Sequence, residues 1–413
     1  MPHMPRPLSH IRVLDLSRVL AGPWAAQNLA DLGAEVIKIE RPGAGDDTRT
    51  WGPPWFENGN TRQNGEEKKE AAYFLSVNRG KKSVTVDIAR PEGQALIRRL
   101  AEKCDVMIEN FKVGALAKYG LGYADLRRVN AAIVYCSITG FGQSGPYAQR
   151  PGYDFIFQGM GGLMSITGER DDLPGGGPQK VGIAVTDVLT GVYASLAITA
   201  ALNHRQITGQ GQHIDMALLD TLVAFGANQI SNYWCSGDIP RRWGNAHVNI
   251  VPYEAFATRD SHIILAVGND TQFRSFCTIA GRPELADDPR FRTNPDRNKH
   301  RDLLVPVIRE LIRTRTKRDW IESLEAANVP CGPINNYQEV FEDPQVKHRG
   351  LKIDIPHPHG TVSTPANPMR FSETPITYEV PPPLLGQHTT EVLTGLLGIG
   401  DAELDKLKAG GVI

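Results

Sequence analysis

The sequence predicts an α/β protein with a parallel, doubly wound sheet in its first half and a smaller α+β unit further along. Two observations predict the sheet: short apolar, β-branched segments recur, and segments with helical periodicity separate them. Because parallel strands need crossover connections, this alternation is typical of strands that lie side by side in one sheet. A third observation predicts the smaller unit, since the alternation stops after Trp243 and two short strand-like segments follow.

The elements of the first half follow from this alternation. Residues 12–16 form the first strand, and residues 22–32 form a helix that Pro23 opens, because proline fits the first turn of a helix. The segment 57–70 is polar and has no periodicity, so it is predicted to be a surface insertion. The other strands are predicted at residues 35–39, 83–88, 106–109 and 131–138, with a helix at residues 91–104.

Two long helices are predicted in the middle of the chain, at residues 188–204 and 216–233, and a short apolar strand at residues 181–185 precedes the first. The smaller unit then has strands at 255–256 and 262–267 and helices at 272–280 and 302–314. A helix at 317–327 and a strand at 351–355 are predicted to return to the main body, and the last amphipathic helix begins at Thr389. We therefore predict a large domain (1–215), a small α+β domain with a linker helix (216–316) and a C-terminal segment that rejoins the large domain (317–413).

The composition is that of an ordinary globular protein. Of 413 residues, 41% are hydrophobic and 22% charged, and the net charge of −1 offers no reason to expect a nucleic acid or a membrane as partner. The five cysteines are far apart and form no CxxC pair, so we expect reduced thiols and no zinc site. The first strand begins after about ten residues, too few for a signal peptide. We expect a cytoplasmic protein, or one of the mitochondrial matrix if a transit peptide has been removed.

The segment 140–145 (GFGQSG) matches the GxGxxG pattern of dinucleotide-binding loops and follows a predicted strand. In that site a helix begins within the loop, so that its N-terminus meets the pyrophosphate. Here Pro146 and Pro151 follow, and no helical pattern begins before Phe155. A nicotinamide site is therefore not favoured.

Asp187 is the candidate nucleophile. It stands between the predicted strand 181–185 and the long apolar helix, where unpaired helix N–H groups offset its charge and apolar neighbours exclude water. The alternative role is a helix N-cap, which is common for aspartate. The same two roles are open for Asp154, another acid that opens an apolar helix.

Several sequence blocks resemble the class III CoA-transferases, in the same order and over essentially the whole chain. The resemblance implies a Rossmann-like large domain, a smaller domain, and a dimer in which ring-shaped subunits interlock. The blocks are residues 19–23 (VLAGP), 40–54 (ERPGAGDDTRTWGPP), 109–111 (ENF), 137–146 (SITGFGQSGP), 244–253 (GNAHVNIVPY), 331–336 (CGPINN) and 381–390 (PPPLLGQHTT).

By position, the resemblance makes Asp187 the catalytic aspartate, with Gly191 as the glycine that follows it one helical turn later. Asp154 and Tyr153 match a supporting position. The segment 244–247, with Gly244, Asn245 and His247, resembles the mobile active-site loop of the family. The contacts to CoA carried over in this way are Val19, Ala21, Arg41, Asn110, Phe111 and Lys118. An arginine for phosphate and an aromatic ring for adenine are the expected residue types.

Two positions depart from the family pattern. Leu20 replaces a glutamine that oxalate-specific members use, which argues against oxalate as a substrate. Ala89 stands where some members have a CoA-binding lysine, and Arg90 or Lys82 is expected to compensate.

The resemblance implies transfer of CoA from an acyl-CoA, expected to be succinyl-CoA, to a dicarboxylic acid such as glutarate, hydroxymethylglutarate, itaconate or malate. The route would be an anhydride and then a CoA thioester on Asp187, with no permanently bound cofactor and no metal. A dicarboxylate needs a cation for its distal carboxylate. Arg79 and Arg297 are the first candidates, followed by Arg49 and Arg242.

Two alternatives remain from the sequence. An α-methylacyl-CoA racemase would need a histidine directly before the acid at position 154, and Tyr153 stands there instead. A non-catalytic CoA-binding protein would keep Arg41 and Asn110 but would not need Asp187.

Overall fold

The computed structural model describes residues 6–56 and 69–413, together with the backbone of two short strands between them. Within the predicted insertion at 57–70, the structure describes the backbone of 62–63 and 66–67 and residues 69–70, and the other positions lie outside the described residues. The chain forms two compact units. The first unit contains Met1–Leu163, Val181–Asn228 and Gln345–Ile413, and the second contains Met164–Lys180 and Gln229–Pro344.

The elements are numbered in chain order. The strands are β1 Arg12–Asp15, β2 Glu35–Glu40, β3 Trp55–Phe56, β4 Arg62–Gln63, β5 Glu66–Glu67, β6 Glu70–Ala71, β7 Lys81–Thr85, β8 Val106–Glu109, β9 Val134–Thr139, β10 His213–Ala217, β11 Tyr253–Ala257, β12 His262–Ala266, β13 Cys331–Pro333, β14 Lys352–His357 and β15 Gly360–Pro365. The helices are α1 Ala21–Asp31, α2 Ala72–Ser76, α3 Pro91–Ala101, α4 Tyr123–Val129, α5 Asp154–Met160, α6 Leu163–Ile166, α7 Val185–Thr208, α8 Leu218–Phe225, α9 Ala227–Ser236, α10 Asp270–Ile279, α11 Asn294–Lys299, α12 Arg301–Ile312, α13 Lys317–Ala326, α14 Tyr337–Glu342, α15 Pro344–His348, α16 Thr389–Leu397 and α17 Asp401–Ala409.

The first unit is built on a six-stranded parallel sheet with the strand order β10-β9-β8-β1-β2-β7. This confirms the predicted parallel α/β architecture. Chain order reverses between β1 and β8, which makes that crevice the topological switch point of the sheet. In open α/β sheets, ligands bind beyond the carboxyl ends of the strands at this point.

Two helical layers cover the sheet. Helices α1, α7 and α8 bury residues such as Leu29, Ile198 and Leu222 against one face. Helices α3, α4, α16 and α17 bury residues such as Leu100 and Leu393 against the other. The inner strands β1, β2, β8 and β9 are therefore shielded from water on both sides, which explains why they are mostly apolar.

Two predicted elements near Asp187 were wrong. Residues 181–184 form no strand, because α7 already begins at Val185. The predicted helix at 216–233 begins instead as the strand β10, which pairs with β9 at the sheet edge. The sequence of this strand, HIDMA, alternates polar and apolar residues as a half-covered edge strand does, and the helix prediction overlooked this signal.

The second unit has an antiparallel sheet, β11-β12-β13, packed against α10, α12 and α13. The predicted boundaries at 216 and 317 need correction. Leu218 and Leu222 of α8 are buried in the core of the first unit. Trp320 of α13 is buried in the core of the second unit, and β13 pairs with β12, so the chain returns to the first unit only at Gln345.

The segment 164–180 also belongs to the second unit, although it was predicted within the large domain. One physical reason is that Arg242 donates a hydrogen bond of 3.1 Å to the carbonyl oxygen of Ser165. Long-range contacts of this kind leave no trace in local periodicity.

Helix α7 is long and largely apolar. Among the described residues it is the single helix long and apolar enough to cross a membrane by those two criteria alone. A helix in the core of a globular domain passes the same test, and α7 packs along α1 through Ala194 and Ile198.

Candidate active site

Two cavities open near the switch point of the first unit, and they share Arg18, Asp47 and Phe111 in their walls. The first, of about 230 Å³, contains Asp187 and is called the Asp187 cavity below. The second, of about 520 Å³, contains Arg41 and is called the Arg41 cavity. The two cavities are therefore neighbours on either side of these three residues.

Asp187 is the third residue of α7 and is half-buried. The N-cap of this helix is Ala184, which makes no side-chain cap bond, so the N-cap role considered for Asp187 is wrong. Its carboxylate instead accepts a hydrogen bond from the backbone N–H of Ala21, the first residue of α1. The carboxylate therefore lies at the N-terminal ends of two helices, where unpaired N–H groups favour negative charge.

Gly191 allows this approach. A Cβ atom at this position would lie 2.6 Å from the carbonyl oxygen of Ala21 and 2.9 Å from the Cβ of Trp24. Real Cβ atoms do not come this close to backbone oxygens, so only glycine lets α7 approach the start of α1 here. The glycine that the family pattern places after the aspartate thus has a packing role in this chain.

The pKa of Asp187 is raised to about 7, by burial first and by the charge of Asp154 second. The hydrogen bond from Ala21 opposes the shift. Desolvation and a nearby like charge both disfavour the ionised carboxylate. The group therefore changes charge near neutral pH, which is where a carboxylate nucleophile has to be poised.

Asp154 joins two segments of the site. Its Oδ1 accepts a 2.7 Å hydrogen bond from the N–H of Thr186, and its Oδ2 accepts one of 2.6 Å from Nε2 of Gln158. The Oε1 of Gln158 accepts from the N–H of Val181 at 2.8 Å, and Gln158 is fully buried. Gln158 was missed because a lone glutamine in a helix carries no sequence signal. Tyr153 lines the Asp187 cavity and is mostly exposed.

Tyr73 is a second residue that the sequence reasoning missed. Burial first, then the charges of Asp187, Asp154 and Asp46, raise the pKa of its phenol to about 12. The hydroxyl is thus protonated at neutral pH and close enough to Asp187 to sense its charge. Its ring meets the edge of Trp51 at 5.1 Å.

Asn110 holds the loop between β1 and α1. Its Oδ1 accepts a 2.9 Å hydrogen bond from the N–H of Arg18, and its Nδ2 donates one of 2.7 Å to the carbonyl oxygen of the same residue. The guanidinium of Arg18 lies 5.3 Å from the ring centroid of Phe111. The next residue, Val19, adopts a left-handed conformation with φ +71°.

Arg41 and Lys118 are exposed and line the Arg41 cavity together with Phe111 and Ala89. Neither Lys82 nor Arg90 is among the described residues that line it. Lys82 instead binds Glu35 at 3.0 Å and Glu391 at 2.8 Å. The proposed replacement of a CoA-binding lysine at position 89 therefore has no support in this geometry.

The four arginines suggested for a distal carboxylate already have protein partners. Arg79 is buried and binds Asp31 through two hydrogen bonds of 2.9 and 2.6 Å. Arg297 is fully buried and donates to Val251 O at 2.7 Å and to Asp270 at 2.8 Å. These partners satisfy both guanidinium groups, which argues against Arg79 and Arg297 as substrate ligands. Arg49 likewise binds Glu40 and Glu70, and Arg242 binds Asp171.

The segment 244–247 belongs to the second unit and lies in a loop. Gly244 has φ +60°, and Asn245 lines a cavity of this unit. Nδ1 of His247 accepts hydrogen bonds from the N–H groups of Asn249 at 3.0 Å and Ile250 at 3.2 Å. Arg301 donates 2.7 Å to the carbonyl oxygen of His247, so a buried cation ties this loop to α12.

The GxGxxG match at 140–145 is a loop that is tied back to the sheet. The N–H of Gly142 donates to the hydroxyl of Thr139, and that of Gln143 donates to Asp215. The next helix, α5, begins only at Asp154. No helix begins within residues 140–153, so no helix N-terminus is available there for a pyrophosphate. The structure therefore agrees with the rejection of a nicotinamide site.

A half-buried aspartate in a cavity at the switch point of a parallel sheet is typical of an α/β enzyme. Residues 8–389 match CoA-transferase family III, and the chain belongs to this family. The protein is therefore a CoA-transferase, and CoA thioesters are its substrates.

Named relatives and solved structures agree. The chain is 53% identical over 401 residues to the succinate–glutarate CoA-transferase of Agrobacterium fabrum, which covers 96% of this chain and 97% of that protein. It is 45% identical to the succinyl-CoA:glutarate CoA-transferase of Homo sapiens, over 99% of this chain and 90% of the relative. The crystal structure of a CaiB/BaiF family protein from Brucella suis superposes with a TM-score of 0.83 at 48% identity, covering 95% of this chain and all of that one.

Proposed function

We propose that this enzyme transfers CoA from succinyl-CoA to glutarate or a closely similar dicarboxylate, with Asp187 as the nucleophile. The observation that carries the proposal is the position of the Asp187 carboxylate, which lines a cavity adjacent to the Arg41 cavity and bonds to the N–H of Ala21. The names of the relatives from Agrobacterium fabrum and Homo sapiens support the choice of the two acids.

The reaction begins when an oxygen of the Asp187 carboxylate attacks the thioester carbon of succinyl-CoA. The C–S bond breaks, which gives a mixed anhydride and the CoA thiolate. The thiolate then attacks the aspartyl carbonyl of the anhydride, so that succinate leaves and CoA stays on Asp187 as a thioester. Glutarate attacks this thioester, the thiolate leaves again, and its attack on the glutaryl carbonyl releases glutaryl-CoA and the free carboxylate.

No water enters this cycle, and each intermediate keeps the energy of the original thioester. Water would hydrolyse either the anhydride or the aspartyl thioester, so the site has to exclude it. The neutral phenol of Tyr73, whose titration responds to Asp187, is suited to donate a hydrogen bond to an oxygen that becomes negative during attack.

The Arg41 cavity is proposed to hold the nucleotide end of CoA. Arg41 and Lys118 supply exposed cations for the phosphates, and Phe111 supplies an aromatic face for adenine. Val19 and Ala21 contribute backbone groups where the two cavities meet. Asn110 lines the Asp187 cavity while its amide binds both backbone groups of Arg18, so its proposed role is to hold the loop beside CoA.

The distal carboxylate of the substrate is proposed to bind Arg150. Arg18, Lys112 and Arg150 are the cations among the described residues that line the Asp187 cavity. Arg18 binds Asp47 at 3.1 Å, whereas Arg150 packs over the ring of Tyr147 at 4.4 Å and that of Phe141 at 5.3 Å. A guanidinium pre-oriented on aromatic rings is well suited to a planar carboxylate.

The two alternative functions are less well supported. A racemase needs an acid and a base on opposite sides of the substrate carbon, and Tyr153 occupies the position of the expected histidine. A non-catalytic binding protein would not need a carboxylate whose pKa is raised to about 7 at the end of the cavity.

We further propose that the protein is a homodimer with interlocked subunits. Helix α7 leaves Tyr193, Leu196 and Ile207 exposed, with 80% of Ile207 accessible to solvent. Large apolar side chains clustered on one exposed helix are typical of a surface that another chain covers. A second copy is the occupant implied by the family resemblance.

Intact-mass measurement after mixing with succinyl-CoA tests the proposed chemistry. We expect an adduct with the mass of CoA or of a succinyl group on the wild type and none on Asp187→Ala. The matched control is Asp220→Ala, because Asp220 is an exposed acid at the same third position of its helix, α8. An adduct that persists on Asp187→Ala would contradict the assignment.

A further inference from the structure

The loop between β1 and α1 is held at almost every residue by a polar side chain from another element. The N–H of Ser17 binds Asp15 at 2.9 Å, and its carbonyl oxygen accepts 2.9 Å from Nζ of Lys38. The N–H of Val19 donates to Asp46 at 3.2 Å. Asn110 binds both backbone groups of Arg18, the residue between them. The side chains that hold the loop therefore come from β1, from β2, from the segment after β2 and from the residue that follows β8.

The conformation that these contacts hold is strained. Val19 has φ +71°, which a β-branched residue adopts only when its surroundings impose it. Such strained residues cluster at functional sites, where the surrounding contacts over-determine the backbone. The bonds to Ser17, Arg18 and Val19 provide those contacts.

Lys38 and Asp46 form an ion pair of 2.9 Å with both side chains fully buried. Although burial opposes both shifts, the pair lowers the pKa of Asp46 to about 2 and raises that of Lys38. Both groups are therefore charged across the physiological range. A buried ion pair contributes little net stability, because desolvating two charges offsets their attraction, and apolar replacements of similar volume are often equally stable. Stability alone is thus a weak reason for this pair.

The start of α1 depends directly on this loop. A Cβ atom on Gly22 would lie 2.3 Å from the Cβ of Ser17, so the loop folds tightly back on the first turn of the helix. Lys81, also fully buried, donates 2.9 Å to the carbonyl oxygen of Pro23. Ala21 lies between the anchored Ser17 and the anchored Pro23 in the chain, and its N–H donates to the carboxylate of Asp187.

We propose that Lys38 and Asp46 are positioning residues of the transferase, which lock the loop before α1 so that the N–H of Ala21 points at the Asp187 carboxylate. This inference rests on the proposed role of Asp187. Neither Lys38 nor Asp46 contacts the reacting atoms in this scheme. Both act through the backbone of Ser17 and Val19.

The test replaces the charged pair by apolar side chains, in Lys38→Met/Asp46→Leu. A pair that serves stability alone would leave kcat and its pH dependence unchanged once the protein folds. For positioning residues we expect kcat with succinyl-CoA and glutarate to fall about 10²-fold, because misplacement by about 1 Å has that effect. The thermal unfolding midpoint should also fall, because the N–H groups of Val19 and Thr48 lose their acceptor, so the pH profile and not the stability decides between the two roles.

The pH profile separates the two roles. The titratable groups that face Asp187 are Asp154 and Tyr73, and both remain in the variant. The Ala21 hydrogen bond lowers the pKa of Asp187, so its loss should move the acid limb of the kcat/KM profile to higher pH. A variant that loses activity through general destabilisation would keep the acid limb at its original pH.

A second double variant, Lys38→Met/Asp46→Asn, keeps an oxygen for the N–H of Val19 and guards against a failure to fold. We expect it to recover part of the lost kcat and to show a smaller shift of the acid limb. The matched control is Arg12→Met/Glu35→Gln, which removes a half-exposed 2.7 Å ion pair between β1 and the start of β2, at the end of the strands away from the site. It should behave as the wild type.

Wild-type kcat and an unmoved acid limb in either folded Lys38/Asp46 variant would overturn the inference. Failure of the proposed function would show differently, since the wild type itself would then form no adduct and transfer no CoA. The two failures are therefore distinguishable within one set of measurements.

Discussion

The carboxyl group of Asp187 shows how much of the chemistry depends on single residues. Burial and Asp154 raise its pKa to about 7, and one backbone N–H opposes the shift. In the proposed mechanism, attack on the thioester requires the ionised form, so we expect the fraction of active enzyme to depend on pH near neutrality. Kinetics can therefore report the environment of this one group.

We expect kcat/KM for succinyl-CoA to fall as the pH drops below about 7, the value to which the pKa of Asp187 is raised. In Asp154→Asn the neighbouring negative charge is gone, so the pKa of Asp187 should fall and the acid limb should move to lower pH. Steady-state rates between pH 5 and 9 measure the shift of the acid limb. A shift of one pH unit corresponds to about 1.4 kcal/mol of interaction between the two carboxylates. An acid limb that stays in place would show that Asp154 does not set the titration of Asp187.

Arg150 is expected to set the preference for dicarboxylates. In Arg150→Gln, KM for glutarate should rise about 10²-fold, because an ion pair in a partly buried cavity is lost. Turnover with a monocarboxylate such as butyrate should change little. The control is Arg127→Gln, an exposed arginine that packs over Tyr123 at 6.0 Å and is not among the residues that line the cavity. Equal losses with both acids would contradict the assignment.

At the scale of elements, the contact between α1 and α7 brings the site together. Gly191 permits the close approach, and the first residue of α1 then meets the third residue of α7. The two helices are separated by more than 150 residues in the chain. Their contact is a result of packing on one face of the sheet.

Gly191→Ala tests this contact. The added Cβ would lie 2.6 Å from a backbone oxygen, so α7 has to shift and carry Asp187 with it. We expect kcat to fall about 10²-fold or more, as for other small misplacements of a reacting group. In the matched control, Gly395→Ala of α16, the Cβ meets nothing within 4 Å, and stability should rise by about 0.5–1 kcal/mol with unchanged activity. Unchanged kcat in Gly191→Ala would refute the argument.

At the scale of the whole molecule, the exposed side of α7 predicts association. Leu196→Glu places a charge on a surface that the proposed dimer buries, so the mass measured by sedimentation at micromolar concentration should fall toward that of one chain. Val129→Glu, at the end of α4, changes a single exposed valine in the same unit and should leave the mass unchanged. Two variants of equal mass would speak against α7 as the interface.

Local patterns in the sequence were sufficient for much of this picture. Strands β1, β2, β7, β8 and β9 were predicted because strands buried on both faces are short apolar runs, and the parallel architecture follows from their alternation with helices. The family resemblance also came from the sequence, since blocks such as VLAGP and ENF are contiguous, and the assignment of Asp187 as the nucleophile stays a prediction. Local patterns could not show which unit a loop segment such as 164–180 belongs to, or which groups the arginines bind.

Only the tertiary structure could show the contacts between residues that are far apart in the chain. The assignment of α13 to the second unit depends on Trp320 reaching the core around Phe276, and the rejection of Arg297 as a ligand depends on Val251 and Asp270. The bond from Ala21 to Asp187 and the Lys38–Asp46 pair beneath it likewise join separate elements. Periodicity and composition describe a residue and its near neighbours, whereas burial, charge pairing and pKa are set by whichever groups the packed sheet brings together.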